Sequence, residues 1–329
     1  MPSMLKKIAL FENRATKSAT ERYRFKRSDG KTTEIDIAPS LATDGKTLRA
    51  RMLDGLTEAA SDLKALSAEI AVATKAAPPK HYVYEARTGW ILSGKAFVLQ
   101  DRLIGKSADK IIGIAPLAKV GRGKTRRRGT SKQWTGSVGQ LAKKSTTMML
   151  AIAAALAAPL LKVTATNTFG ICLFGRTRGG KTMATLSAGS VIGFGKDEQM
   201  LNWYSTTAGL EPKFPGFNDC CFPIDDLSKL PVKSEHERLL EVRSLAYQAI
   251  GGDIKGRHPS FDAASRTNAV HHRFIVLTSF EKSIQDLAHE TNQARMGGET
   301  MRLIDVPAYF DGLVHIFDRA HADATLNQE

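Results

Sequence analysis

Two stretches of the chain repeat hydrophobic residues at the spacing of a helix. Between residues 48 and 75 leucines and an isoleucine recur at spacings near three and four residues, and a second, more apolar stretch covers 137–161. This spacing predicts one helix over 48–75, which the Pro-Pro pair in 76–79 ends, and a long helix over 137–161. The apolar run 148–161 is shorter than the about 20 residues that a bilayer span needs. It therefore predicts a buried helix rather than a membrane anchor.

Shorter apolar runs predict strands in both halves of the chain. From residue 169 onward such runs alternate with helical stretches, which is typical of an α/β layer. Residues 1–50 are polar and basic, with only one strand-like run. The predicted fold class is therefore α/β, preceded by a basic α+β N-terminal region. The predicted strands cover 32–37, 81–85, 89–92, 96–99, 171–174, 220–224 and 272–278.

Composition shifts along the chain predict four segments. The first is a basic N-terminal region, and the second is a short linker that begins at the proline pair. A third segment holds a Gly-, Lys- and Arg-rich loop and the long helix, and the fourth is an α/β core. The predicted boundaries are 1–77, 78–87, 88–165 and 166–329.

Positive charge is concentrated in the first two-fifths of the chain. The whole sequence has 47 Lys and Arg against 33 Asp and Glu, but residues 1–130 alone have 26 against 13. Such an excess favours a polyanionic partner, with nucleic acid as the leading candidate, although a solvated charged surface is the alternative. Arg24, Phe25 and Lys26 are candidates for stacking on and pairing with a single strand. The densest basic cluster comprises Arg122, Lys124, Arg126, Arg127 and Arg128.

The cysteine count and the N-terminus indicate a cellular compartment. Three cysteines without a CxxC pair exclude a disulfide framework and a four-thiolate zinc site. Residues 1–10 lack the apolar stretch of a secretory signal. The sequence therefore predicts a reduced, cytoplasmic protein that is not attached to a membrane.

A glycine-rich motif follows the apolar run 171–174 directly. It fits GxxxxGK[ST], the phosphate-binding P-loop, in which backbone N–H groups surround a phosphate at the start of a helix. A lysine at the seventh position reaches the β and γ phosphates, and the hydroxyl at the eighth position holds Mg²⁺. A helix predicted over 182–191 supports this interpretation. The candidate nucleotide-binding residues are Gly175, Arg176, Thr177, Arg178, Gly179, Gly180, Lys181 and Thr182.

Two acidic residues end the strand predicted over 220–224. Asp225 and Asp226 stand where a Walker B strand carries its acids, so Asp225 is the candidate magnesium-supporting carboxylate and Asp226 the candidate that polarises water. Two solvated acids at the end of a strand are the alternative. Thr278, with Ser279 beside it, ends the next strand and is a candidate sensor of the γ-phosphate.

From about residue 88 to the end, the sequence resembles a helicase-like family known as domain of unknown function 927. The matching positions keep their order and spacing over about three-quarters of the chain. They include Gly89-Trp90, Trp134, Phe169-Gly170, the P-loop, Trp203, Asn218-Asp219, Ile224-Asp225-Asp226, Tyr247, Gly252, Lys255, Arg257, Thr278, Glu281 and the run 302–307.

The resemblance implies a ring motor of the AAA+-like P-loop type. Such a motor is a homo-oligomer, and in this family it is a hexamer. It hydrolyses ATP with Mg²⁺ and moves on single-stranded or forked DNA, in phage or mobile-element replication. Lys255 and Arg257 would then line the pore, although a solvated loop is an equal alternative. Arg302 or Arg273 would reach a neighbour's γ-phosphate, with a structural role as the alternative.

The sequence also departs from the family pattern. The family has Asp-Glu where this chain has Asp225-Asp226, it has glycine at Ile254, and longer relatives continue beyond the Arg302 motif. The alternative function is therefore a nucleotide-binding but hydrolytically weak DNA-binding or assembly module.

Overall fold

The computed structural model describes most of the chain and forms two compact units. The first unit comprises 1–86 and 102–115, and the second comprises 87–101 and 116–329. The described residues are 5–14, 16–26, 30–42, 46, 50, 63–107, 111–114, 129–196, 200–204, 207–249, 272–310 and 312–318.

The first unit contains a five-stranded sheet, one further short strand (β7) and helices. Strands β1 and β2 were not anticipated, whereas β3 and β4 are confirmed with the predicted bounds. The described part of the helix predicted over 48–75 is α2. The elements are β1 (Leu5–Asn13), β2 (Ala19–Lys26), β3 (Thr32–Ile37), α1 (Pro39–Ala42), α2 (Leu63–Lys75), β4 (His81–Glu85), β7 (Leu103–Gly105) and β8 (Ile111–Ile114).

The order of strands in this sheet is β3-β2-β1-β4-β8. Strands β1 to β3 pair antiparallel, whereas β4 pairs in parallel with β1 and with β8. Residues 78–87, which the sequence assigns to a linker, are therefore largely taken up by strand β4. This segment is a strand of the sheet because its backbone pairs with that of β1. Ile70 and Ala73 of α2 cover the core, together with Leu5, Tyr23 and Phe25.

The aromatic residues of β2 are buried in the core, and its arginines are paired with carboxylates of β3. Tyr23 and Phe25 are fully buried in the core, so the predicted stacking of Phe25 on a nucleic-acid base is wrong. Alternate residues of a strand point to opposite faces, which places the intervening arginines outside. There Arg22 makes two hydrogen bonds to Asp36 of β3, and Arg24 bonds to Glu34.

The second unit is built on short strands and helices. Its first part contains a hairpin of two antiparallel strands, β5 and β6, followed by helices. Its second part contains a parallel sheet. The elements are β5 (Gly89–Ile91), β6 (Ala96–Val98), α3 (Ser131–Gly136), α4 (Val138–Ala142), α5 (Thr146–Ala157), α6 (Leu160–Val163), β9 (Phe169–Phe174), α7 (Lys181–Val191), β10 (Leu201–Asn202), α8 (Thr207–Leu210), β11 (Cys220–Asp225), α9 (Glu235–Ser244), β12 (Phe274–Phe280), α10 (Ile284–Glu290), α11 (Gly297–Arg302) and β13 (Leu303–Pro307).

Where a single long helix was predicted over 137–161, the structure has three shorter ones. The chain leaves the helical conformation before α5, at Ser145, whose φ is −142°. The Ser145 hydroxyl accepts a hydrogen bond from the backbone N–H of Met148, so it begins a new helix instead of continuing the old one. Pro159 then separates α5 from α6.

The five strands β10-β11-β12-β9-β13 form one parallel sheet in that order. Strand β12 therefore lies between β9, which precedes the glycine-rich loop 175–180, and β11, which carries the acidic pair. Parallel strands end at the same edge of the sheet, so the loop after β9 and the ends of β11 and β12 are neighbours.

Both faces of the parallel sheet are buried, as is usual for this type of sheet. One face packs against α5 and α7 through small residues, among them Ala151, Ala155, Ala184 and Ala188. The other face is covered by an aromatic cluster that includes Trp203, Phe214, Phe217, Phe222 and Phe274. Among the described residues, no helix is long and apolar enough to cross a bilayer.

Candidate functional site

The candidate nucleotide site lies where β9 meets α7. The loop 175–180 joins the two elements, and Gly180 adopts φ 92° as the residue that immediately precedes the helix. This left-handed conformation is accessible to glycine at little cost and strained for other residues. It allows α7 to start at Lys181 with its free backbone N–H groups at the loop, an arrangement that favours an anion.

The amino group of Lys181 is folded back onto the loop. Its Nζ donates hydrogen bonds to the carbonyl oxygens of Gly175 and Arg176, at 2.7 and 2.8 Å. Burial lowers the pKa of this amine, while the carboxylates of Glu281, Asp226 and Asp225 act in the opposite direction. The lysine is thus held by weak, neutral acceptors that an anionic ligand can replace.

Asp225 and Thr182 meet at the end of β11. The Thr182 hydroxyl lies 3.3 Å from Oδ2 and 3.4 Å from Oδ1 of Asp225, and the carboxylate is buried. Ser279 donates a hydrogen bond to Oδ1 at 2.8 Å and so fixes the orientation of the carboxylate. A hydroxyl and a carboxylate are oxygen ligands of the type that Mg²⁺ prefers. These two residues therefore fit a magnesium ion that is completed by water and phosphate oxygens.

Asp226 has a different environment from Asp225. Its φ is 53°, an uncommon value for a residue with a side chain, and its Oδ1 accepts hydrogen bonds from the backbone N–H and the hydroxyl of Ser228. The carboxylate thereby begins a short 3₁₀ turn, Leu227–Lys229. The ammonium of Lys229 lies 3.9 Å from Oδ2. Asp226 is near the site, with one carboxylate oxygen engaged by Ser228.

The structure brings Ser279, rather than Thr278, to the acidic pair. Thr278 is fully buried, and its hydroxyl accepts a hydrogen bond from the indole N–H of Trp203 at 2.8 Å. Ser279 bonds to Asp225 and accepts from the backbone N–H of Asp226. Successive residues of a strand point to opposite faces, so only one of the two can reach the site.

The two arginine-finger candidates make contacts within their own chain. The guanidinium of Arg302 lies over the Tyr247 ring, 5.2 Å from its centroid, and donates to the carbonyl of Gly298. The backbone of Arg273 pairs with Asn218 and Asp219. The predicted DNA contacts Arg122, Lys124, Arg126, Arg127, Arg128, Lys255 and Arg257 lie outside the described residues.

Two residues that sequence reasoning missed lie against the glycine-rich loop 175–180. The ring of Tyr309 packs so close to Gly179 that a Cβ there would lie 2.6 Å from it, and its hydroxyl accepts the backbone N–H of Arg176. The backbone N–H of Ile316 donates to the Gly179 carbonyl at 2.9 Å. Both residues follow β13, the neighbour of β9, so their distance along the sequence hides their proximity.

Glu281, which the resemblance includes as a matching position without a role, also contacts the loop. It follows β12 directly, and its carboxylate accepts a hydrogen bond from the Thr177 hydroxyl. The described residues contain no group of three His, Cys, Asp or Glu side chains placed to hold a metal ion.

The fold and the site define a mixed α/β protein with a parallel sheet and a glycine-rich loop at its carboxyl edge. The chain belongs to the family described as Domain of unknown function (DUF927), whose model matches residues 7–269. The match begins within β1, so it extends well before residue 88, where the sequence resemblance was placed. It ends before β12.

A solved structure titled "SCCmec type IV Cch - active helicase" is similar in fold. The TM-score is 0.56 at 17% sequence identity, over 97% of this chain and 55% of that one. This chain thus spans little more than half the length of that helicase. A search of the curated proteins finds no match.

Proposed function

We propose that this protein is an ATP-dependent helicase or translocase that works on DNA. The observation that carries the proposal is the meeting of Thr182 and Asp225 beside Lys181 at the start of α7. A P-loop NTPase core, AAA+-like in class, needs these three groups at one place. The strand order, with β12 between β9 and β11, and the fold of the similar helicase support the same assignment.

Each group of the site has a role in this proposal. Lys181 exchanges the carbonyls of Gly175 and Arg176 for the β and γ phosphates, and the N–H groups at the start of α7 bind the same anion. Thr182 and Asp225 hold Mg²⁺, which neutralises charge on the phosphates. Ser279 keeps the Asp225 carboxylate in position. Asp226 orients the attacking water when its carboxylate leaves Ser228.

The proposal extends to partners that lie beyond the described site. Single-stranded or forked DNA is the polymer on which the motor acts, and the basic residues of 122–128 with Lys255 and Arg257 contact its phosphates. The chain assembles as a homo-oligomeric ring, a hexamer, in which Arg302 serves the neighbouring site after leaving Tyr247. Phage or mobile-element replication in the cytoplasm is the proposed setting.

ATP turnover by the full chain tests the central claim. We expect single-stranded DNA to raise the rate at least about threefold, and Lys181→Ala to reduce it by at least about a hundredfold, which corresponds to the loss of nearly 3 kcal/mol of transition-state stabilisation. Rates are measured at fixed salt, because binding to phosphates is strongly salt-dependent. Turnover that survives in the Lys181→Ala variant, or that DNA leaves unchanged, contradicts the proposal.

The hydrolytically weak module is the second candidate, and the Asp226 geometry favours it. Here Asp226 is shorter than the family's glutamate and is engaged by Ser228. The active-motor proposal expects Asp226→Glu to change turnover by less than about threefold, under 1 kcal/mol. A rise of about tenfold or more would instead show that the native site hydrolyses poorly. Asp286→Asn, which changes a carboxylate in the first turn of α10, is the matched control.

A further inference from the structure

A cleft opens beside the P-loop on the side of β13. Its volume is about 420 Å³, within the range of small-ligand pockets. Gly175 and Arg176 of the loop form one side of the cleft. The other side is formed by Pro307 at the end of β13 and, after it, by Tyr309, Phe310 and residues 312–314. The cleft is therefore continuous with the loop that holds phosphate in the proposed function.

Polar and apolar groups line this cleft in nearly equal parts. The apolar side chains are Phe174, Pro307, Tyr309, Phe310, Leu313 and Val314, and the charged residue Arg176 also lines the cleft. Tyr309 is fixed in place because its hydroxyl accepts the backbone N–H of Arg176. Phe310 is 56% exposed and Val314 is 64% exposed, so two large apolar side chains face water at this cleft. A flat, apolar ligand would cover them and release that water.

We propose that the cleft binds the heterocyclic base of the nucleotide, with the base stacked on Phe310. The inference rests on the proposed binding of a nucleoside triphosphate at the P-loop. Continuity with the loop identifies the occupant, because a nucleotide whose phosphates lie at 175–182 carries its base a few ångströms away. The exposed ring of Phe310 and the aliphatic side chains beside it suit the flat face of a base, and the polar part of the lining, which includes Arg176, can pair with the polar edge of that base.

The proposed stack has a consequence for selectivity. Every nucleic-acid base has a π-face, so an aromatic ring adds affinity without distinguishing one base from another. Phe310 therefore contributes similarly to the binding of ATP and GTP. The phosphates, which Lys181 and the N–H groups at the start of α7 bind in the proposed function, contribute separately.

Binding measurements with two ligands separate the base from the phosphates. The full chain is titrated in Mg²⁺ with a non-hydrolysable ATP analogue and with inorganic tripolyphosphate, which lacks the base. We expect Phe310→Ala to weaken the analogue about tenfold, in line with the usual strength of base–aromatic stacking, and to leave tripolyphosphate unchanged. Phe310→Tyr retains the ring and is expected to restore most of the affinity. Tyr204→Ala is the matched control, because Tyr204 is 67% exposed and follows β10 at the opposite edge of the sheet.

Each outcome decides the assignment. If the wild-type chain binds neither ligand, the proposed function fails and the base site fails with it. If both ligands bind but Phe310→Ala affects neither, or weakens both equally, the base site is overturned while phosphate binding at the P-loop stands. If Phe310→Ala lowers the affinity for both ligands equally and also changes the oligomeric state seen by sedimentation, Phe310 belongs to a contact between copies of the chain. That result also overturns the base site.

Discussion

Replacing Asp225 by Asn is expected to reduce Mg²⁺-dependent ATP turnover by at least about a hundredfold. A metal-held phosphate is stabilised by several kcal/mol of charge interaction, and each 1.4 kcal/mol is tenfold in rate. The amide has the size of the carboxylate, and its oxygen can still accept the hydrogen bond from Ser279. The protein should therefore fold normally while it loses the negative charge that the metal needs.

Turnover and stability are measured together to separate these effects. The free energy of unfolding of Asp225→Asn should stay within about 1 kcal/mol of the wild-type value, since the hydrogen bond is retained. Ser279→Ala should reduce turnover less than Asp225→Asn, because it keeps the carboxylate and removes only the hydroxyl that orients it. An Asn variant with turnover within threefold of the wild type would show that Asp225 is not the metal-supporting acid.

The largest effect on stability is expected for Phe222→Ala, with a loss of about 3–5 kcal/mol in the free energy of unfolding. Phe222 is fully buried, and its ring centroid lies 4.7 Å from Phe217, 5.6 Å from Phe214 and 5.5 Å from Phe274. Truncation leaves a cavity among rings that cannot all move inward. Because Phe222 belongs to β11, the cavity also loosens the strand that carries Asp225.

Urea denaturation followed by tryptophan fluorescence measures this loss in the relevant unit. All three tryptophans of the chain, Trp90, Trp134 and Trp203, lie in the second unit. Phe310→Ala removes the same ring from an exposed position and should change the free energy of unfolding by less than about 1 kcal/mol. If the two variants unfold at the same urea concentration, the aromatic cluster is not a principal source of stability.

Features encoded by contiguous residues were predicted well from the sequence. The apolar run before the P-loop, the glycine-rich loop itself and the strand that ends in Asp225 each occupy one short segment, and β9, α7 and β11 confirm them. Their patterns depend on local spacing of apolar residues and glycines. For the same reason the fold class of the second unit could be inferred without knowledge of its contacts.

Features that depend on distant partners were not predicted. Strand β1 was missed because Lys7 and Asn13 lie on its buried side, where alternation leads one to expect apolar residues. Lys7 can be buried there because Glu21 and the carbonyl of Thr74 accept its hydrogen bonds. The choice between Thr278 and Ser279 likewise depends on which face of β12 meets Asp225, and nothing in the run 274–280 distinguishes the two faces.

The contacts of Tyr309 and Ile316 with the glycine-rich loop imply an order in which the parts of the site form during synthesis. Arg176 and Tyr309 are 133 residues apart, so at about 5–20 residues per second the ribosome adds the tyrosine roughly 7–27 s after the loop. Throughout that interval α7 can form, but the loop lacks the ring against Gly179 and the bond from Ile316. Under the proposed function, nucleotide captured with full affinity by a nascent chain would therefore mark the molecules in which β13 has already joined β9.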